Sequence, residues 1–371
     1  MRLAFDATPL VGSRTGVATF AAGLLRALAD RQAAAGLDMT AYALSLRGRS
    51  SLAAAVPAGV RAATRPMPAA ALLRLWRVAD RPTIEDFTGA VDIVHGTNYV
   101  VPPTARAGRV VTVYDLTSVR FPELCAPASL RYPALVQRAV DGGAIVHVLA
   151  NAIAAEVRDL LHVPADRVRV VASGLDPTSP GDAANGRRLA GSHSYVLALG
   201  TVEPRKRLDD LVRAFDLLAG DRRSLRLVVA GPDGWVVDDF LTALDHSPFA
   251  ARVRRIGWVD ERARADLLAG ATVLAAPSIY EGFGYPPLEA MAAGTAVVTT
   301  SAGSLPEVVG DAALLVPPRD VDALAAAIAS VVDDGDVRAA FIARGIARAA
   351  TFRWDECASR LVDVYREVAA T

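Results

Sequence analysis

The chain is sparing in several residue types and patterns, and each shortage excludes a class of protein. It has two cysteines, Cys125 and Cys357, in 371 residues. They are too few and too far apart to frame a disulfide scaffold, so a reducing compartment is expected. The five histidines, His95, His147, His162, His193 and His246, show none of the close spacings of zinc sites, and no protein-held metal is implied. Neither charge is in excess. Lys plus Arg equals Asp plus Glu at 40 each, which removes the broad positive field that draws a protein to nucleic acid. Any anion site must therefore be local. Long apolar runs are missing too, each being broken by Arg, Asp or Gly well short of the roughly 20 residues a membrane span needs. The opening MRLAFDATPL reads as a strand without a charged leader or cleavage site, so no export signal is expected and the chain is read as cytoplasmic.

Apolar residues, by contrast, are plentiful, at 52% against 22% charged, enough to bury a core without disulfides or metals. Because single cores stop growing near about 250–300 residues, two domains are expected. Short apolar runs at 3–5, 91–94, 109–113, 145–149 and 168–171 alternate with helical periodicity, as in Val17, Phe20, Leu24, Leu25 and Leu28. After residues 173–193, rich in Gly, Pro, Ser, Asp and Asn and read as a linker or long loop, the alternation starts again at 195–199 and runs to 296–299. The fold class is therefore α/β, with two Rossmann-like doubly wound halves. The expected boundaries are 1–175 and 186–354, with a final helix at 355–371 crossing back onto the first half. Ligands in such sheets lie beyond the carboxyl ends of the strands, so two facing sheets would leave a cleft lined by strand-to-helix loops.

Three of those loops carry candidate chemistry. GSRTG at 12–16 matches neither G-x-G-x-x-G nor a P-loop. Gly12 and Gly16 would admit backbone N–H groups to an anion at a helix N-terminus, and a plain tight turn explains them equally well. GTVEPRKR at 200–207 sets Arg205, Lys206 and Arg207 at a helix start, where each opposes the dipole by about 0.3–1 kcal/mol. A guanidinium beside an ammonium suits a diphosphate, while a solvated turn balanced by Asp209 and Asp210 is the competing explanation. PSIYEGFGYPPLEAM at 277–291 places Glu281 in a loop above a strand and Glu289 in the first turn of the next helix, behind Pro286 and Pro287. Gly282 and Gly284 flank Phe283, so the backbone can bend and present N–H groups. A surface carboxylate and a dipole-complementing one would explain the pair without function.

The stretches EGFGYPPLEAM, GTVEPRK and SAGSLPEVVGDAALLVPPRD together resemble the retaining glycosyltransferases of family GT4, whose fold is the two-Rossmann GT-B type. Among these the chain is most similar to bacterial mannosyltransferase-like members. DIVHGTNYVVPP at 92–103, YDLTSVRFPE at 114–123 and the FRWDECASRLVDVYREV tail extend the likeness over nearly the whole chain. The resemblance implies an acceptor-binding first domain and a second domain binding a nucleotide-sugar donor. Arg205 and Lys206 would hold the diphosphate, and Glu281 the transferred sugar. The Gly282-Phe283-Gly284 backbone would meet the sugar hydroxyls and phosphate, Glu289 the ribose, and Leu305 would lie near the phosphates and nucleoside. Gly12 and Gly16 would reach in from the first domain as donor-binding residues, near the diphosphate and acceptor. Many family members carry His-Asp where this chain has Tyr114-Asp115; tyrosine can donate a hydrogen bond but does not switch charge near neutral pH. Asp115 stays a catalytic candidate, with no general base assigned.

The family implies transfer with retention and needs no protein-bound cofactor. GDP-mannose is the first choice of donor, ahead of dTDP- or UDP-linked rhamnose or glucose. Acceptors would be glycans, lipid-linked glycans or natural products. The alternatives are a non-catalytic sugar-nucleotide-binding protein of this fold and a GT-B epimerase or phosphorylase. AALLRLWRVADR at 70–81 sets Leu72, Leu73, Leu75, Trp76 and Val78 beside Arg74, Arg77 and Arg81. It reads either as a helix packed on its own sheet or as an amphipathic contact with an anionic membrane surface.

Overall fold

The computed structural model describes residues 1–12, 16–46, 49–176 and 180–370, apart from the side chains of residues 49 and 50. Two compact units form, one from Met1–Asp176 with Phe352–Thr371 and the other from Pro177–Thr351.

The first unit is a parallel seven-stranded sheet. Its strands are β1 (Arg2–Asp6), β2 (Asp38–Tyr42), β3 (Arg61–Ala62), β4 (Ile93–Gly96), β5 (Gly108–Val113), β6 (Ile145–Val148) and β7 (Val168–Val170), in the order β3-β2-β1-β4-β5-β6-β7. Leu3, Ala4, Phe5, Ile93, Val94, Val110 and Val111 have no solvent exposure. Strands covered on both faces read as continuous apolar runs, which is why no alternation marks them in the sequence. The helix Gly16–Asp30 buries Phe20, Leu24, Leu25 and Leu28 against this sheet. The chain reverses its direction of winding between β1 and β4, and the loops leaving those two strands diverge there.

The C-terminal helix Trp354–Ala369 belongs to this first unit. Its Trp354 ring fills the place beside Gly23, where an added Cβ would come within 2.1 Å of the indole. Farther along, Tyr365 Oη donates to His95 Nδ1 (2.7 Å), and His95 Nε2 to Thr112 Oγ1 (2.8 Å). Thr112 in turn donates to His147 Nδ1 (2.9 Å), and His147 Nε2 to the Val171 carbonyl (2.9 Å). The direction follows from the last acceptor, since a carbonyl cannot donate, and it satisfies every member of the buried chain. Burial pushes both imidazoles down, His147 to about 4, so both are neutral.

The second unit is a parallel six-stranded sheet. It comprises β8 (Ser194–Leu199), β9 (Leu225–Ala230), β10 (Val253–Gly257), β11 (Val273–Ala276), β12 (Ala296–Thr300) and β13 (Leu314–Val316), ordered β10-β9-β8-β11-β12-β13. Its winding reverses between β8 and β11. The stretch 173–193, expected as linker or loop, contains the helix Ala183–Ala190. Asp182 caps it by accepting from Ala184 N and Asn185 N. Gly186 packs so closely on the helix Glu261–Gly270 that a Cβ would sit 1.9 Å from the Asp266 carbonyl. The helix buries only Gly186 and Ala190, and two small residues leave no apolar periodicity to read. The amphipathic helix expected at 70–81 is also shorter, running over Ala69–Leu75.

Candidate functional site

In the second unit, the loops after three neighbouring strands converge on one carboxylate. After β8 the chain turns through Gly200 (φ +126°) into a single 3-10 turn, Pro204–Lys206, and then through Arg207 (φ +50°) into the helix Leu208–Ala219. After β11 it runs through Glu281 to Gly284 (φ +102°) and the helix Tyr285–Ala292. After β12, Gly303 (φ +58°) leads to the short helix Leu305–Val309. Glycine is required at 303, because a Cβ there would lie 2.4 Å from the Glu281 carbonyl in a left-handed backbone.

Glu281 Oε1 accepts from Lys206 Nζ at 2.5 Å and from Ser278 Oγ at 2.8 Å, while Oε2 faces Arg205 Nη1 at 2.7 Å. Arg205 is itself fixed, donating through Nη1 to the Tyr280 carbonyl (2.6 Å) and through Nη2 to Glu203 Oε1 (2.6 Å). The Glu281 carbonyl accepts from the amide (3.0 Å) and hydroxyl (2.9 Å) of Ser304. Glu281 is 9% exposed. Burial alone would push its carboxyl up, but Arg205 and Lys206 outweigh burial and bring it down to about 2. At neutral pH it is an ionised acceptor and a weak base.

Lys206 is the only lysine in the sequence, the other 39 of the 40 basic residues being arginine (40 − 1 = 39). That singularity is a sequence signal which inspection of the motif alone overlooks. Ser278, Ser304 and Glu203 were also missed, since single serines and an isolated acid carry no pattern.

The other expected residues fall as follows. Leu305 is fully buried, and its Cδ2 would lie 2.8 Å from a Cβ at Gly284, so that glycine admits it. Phe283 is buried edge-on to Tyr285, with ring centroids 5.3 Å apart, and Gly282 is buried beside it. Glu289 is the fifth residue of its helix rather than in the first turn, because the helix starts at Tyr285; its carboxylate is held by Arg264. Arg207 stands apart from Arg205 and Lys206: it pairs with Asp209 (2.7 Å) and Asp210 (2.8 Å) in the first turn of the following helix. The run of three basic residues at a helix start therefore divides into two cations on Glu281 and one balanced locally.

In the first unit, Asp115 Oδ1 accepts from Thr117 N at 2.9 Å, and the Tyr114 hydroxyl donates to the Thr97 carbonyl at 2.6 Å. Gly12 is exposed, and a Cβ there would meet nothing within 4 Å. Gly16 opens the helix Gly16–Asp30, while residues 13–15 of that loop lie outside the described residues. Among the described residues no group of three His, Cys, Asp or Glu side chains gathers as a metal site would require.

Comparison with known proteins gives the family and the fold. The family model "Glycosyltransferase Family 4" matches residues 15–179, and "Glycosyl transferases group 1" matches residues 185–348. O-antigen chain mannosyltransferase B of Escherichia coli is 32% identical over 283 residues, 74% of each chain. Among solved structures, sucrose-phosphate synthase from Thermosynechococcus elongatus superposes with a TM-score of 0.78 at 19% identity, covering 100% of this chain and 99% of that one. Anabaena HepE, solved in complex with UDP-glucose, gives a TM-score of 0.75 at 18% identity over 99% of this chain and 100% of that one. Both units are Rossmann-like sheets of the GT-B fold, and the chain belongs to the GT4-type glycosyltransferases.

Proposed function

We propose that the chain transfers a hexosyl group, mannose before rhamnose or glucose, from a nucleoside diphosphate sugar to a glycan or lipid-linked acceptor with retention of configuration. The observation that carries this is the Arg205–Lys206–Glu281 cluster at the switch point of the second sheet. Two adjacent cations, one a planar fork and one a point charge, suit a diphosphate, and an ionised carboxylate with acceptor capacity to spare suits the hydroxyls of a sugar. The mannosyl preference draws on the likeness to the O-antigen mannosyltransferase. The nucleotide-sugar donor class draws also on the neighbour solved with UDP-glucose.

In this scheme the glycosidic C1–O bond to the diphosphate breaks as the acceptor oxygen approaches from the same face. The acceptor's proton passes to the departing phosphate oxygen, so no protein base is required. Arg205 and Lys206 stabilise the charge that grows on the leaving group, and Glu281, already ionised and fixed, orients the sugar. The Gly282-Phe283-Gly284 backbone and Leu305 line the donor, Glu289 receives the ribose, Gly12 and Gly16 join the donor-binding residues, and Asp115 is the catalytic candidate of the first unit. No protein-bound metal or cofactor takes part. The exposed Leu75 and Val78 beside Arg74, Arg77 and Arg81 make a peripheral contact with the cytoplasmic face of an anionic membrane.

The test is melting-temperature shift and nucleoside diphosphate release across GDP-mannose, UDP-glucose and dTDP-rhamnose. A bound donor raises the melting temperature by mass action. Release is expected with a mannoside acceptor present, and Glu281→Ala and Lys206→Ala should each lower it by at least about 100-fold. Turnover unchanged from the wild type in both variants overturns the site assignment.

A further inference from the structure

Asp6 ends β1 at the switch point of the first sheet and is 1% exposed. Its Oδ1 accepts from the Thr8 amide at 2.9 Å and the Thr8 hydroxyl at 2.5 Å, and a Thr97 backbone bond also reaches it. The Thr8 hydroxyl oxygen in turn accepts from Leu44 N (2.8 Å), and Thr97 Oγ1 donates to the Asp6 carbonyl (2.8 Å). Through Thr97, whose carbonyl receives the Tyr114 hydroxyl, the connection extends to the loop after β5 that carries Asp115. One carboxylate thus sits beneath the loops that leave β1, β2 and β4 and is linked to the loop that leaves β5.

A neutral side chain could hold these loops more cheaply. Burial pushes the Asp6 carboxyl up to about 6, only partly offset by the donors from Thr8 and Thr97. The sign is unfavourable to stability: the folded chain prefers the acid protonated, so stability falls as pH rises from about 3.8 through about 6. The titratable group facing Asp6 among the described residues is Tyr42 on β2, fully buried and with its hydroxyl lacking a hydrogen-bond partner there. On β4, His95 pairs with the neighbouring Phe5 and is held neutral by burial. A buried carboxylate beside an orphan hydroxyl, with no cation to balance it among those groups, is a liability to folding, and such liabilities gather at functional sites.

We propose that Asp6 is a positioning residue for transfer, its carboxylate locking the loops after β1, β2 and β4 into the arrangement that receives the acceptor. The inference rests on the glycosyltransferase reading above but concerns the first unit, not the donor cluster. The ionised form is the better acceptor for Thr8, so as Asp6 takes up a proton its bonds to Thr8 weaken and acceptor use falls, although the folded chain as a whole is not destabilised.

The test uses the full chain, Asp6→Asn and Asp6→Ala, with GDP-mannose as donor and octyl α-mannopyranoside as acceptor. Asp6→Asn retains an oxygen for Thr8 but removes the charge. It is expected to lower kcat/KM for the acceptor at least about tenfold, to leave the KM for donor within about twofold, and to abolish the fall in activity below about pH 6. In amide exchange, segments 7–12, 43–46 and 97–101 should lose protection in Asp6→Ala by about tenfold, the rest of the first unit being unchanged. Wild-type acceptor kinetics and pH profile in Asp6→Asn overturn the inference, and so does unaltered exchange in Asp6→Ala. If the wild-type chain turns over no donor in the wider panel, the parent reading falls and takes this one with it. Active wild type with an indifferent Asp6→Asn removes this inference alone.

Discussion

At the scale of single residues, Lys206 and Arg205 are not interchangeable cations. Arg205 is held on three sides, by the Tyr280 carbonyl, Glu203 and Glu281, whereas Lys206 meets Glu281 through one nitrogen on a flexible stem. Lys206→Met leaves the carboxylate with Arg205 and Ser278 and should cost about 1–3 kcal/mol in urea unfolding, less than a fully broken buried pair. Lys206→Arg is expected to restore that stability but not turnover, since a planar fork cannot follow a moving leaving group as an ammonium can. Steady-state rates at saturating donor distinguish the two, and full activity in Lys206→Arg would count against the role assigned to the amine. The Glu281 pairing also sets a pH window. Its folded value of about 2 lies below the ordinary 4.5, so its contribution is complete above about 4.5 and fades as pH falls toward 2. Of these residues, Arg205, Lys206 and Glu281 were legible from their loops. Ser278 and Ser304 were not, because their roles arise when three loops separated in sequence meet above adjacent strands.

Among elements, what could be read depended on how each buries its surface. Most strands of both sheets were visible as apolar runs because helices cover both faces, but β2 (DMTAY), the two-residue β3 and the three-residue β13 were not. The helix Ala183–Ala190 was hidden because it docks through a glycine and an alanine. The segment after Leu75 was misread for the opposite reason. Trp76 fits a helical stripe, yet it is buried, with its indole N–H donating to the Pro82 carbonyl at 2.9 Å, in a turn that has already left the helix. For the C-terminal helix, the periodicity foretold an amphipathic element but not the polar chain through His95 and His147, which needs three strands and the helix in place. Tyr365→Phe removes the donor to His95 Nδ1 and leaves a buried nitrogen unsatisfied, so a loss of about 1–3 kcal/mol is expected. Both imidazoles have folded values below the ordinary 6.5, so stability should hold above about 6.5 and decline as pH falls toward 4. Denaturant midpoints measured from pH 7.5 to 4.5 check this; a flat profile would mean the histidines are reached by water.

For the molecule as a whole, zero net charge means that attraction to an anionic surface must come from a patch. No helix among the described residues is long and apolar enough to cross a bilayer. Leu75 (43% exposed) and Val78 (80% exposed) stand with exposed Arg74, Arg77 and Arg81 in the first unit. Co-sedimentation with phosphatidylglycerol vesicles is expected at low salt and should weaken at 0.5 M salt, where the screening length falls to roughly 4–5 Å. Val78→Glu with Arg77→Glu should abolish it, and binding that ignores both changes would place the contact elsewhere.

Arginine supplies nearly all the positive charge, and the lone lysine meets the buried carboxylate of the second unit. The whole chain thus carries one side-chain primary amine, and it lies in the proposed donor site. Reductive methylation with carbon-13 formaldehyde would place a single side-chain reporter there, without engineering. Its resonance should move when a nucleoside diphosphate displaces Glu281 as the partner of the amine, giving a direct view of site occupancy in a protein too large for routine spectral assignment.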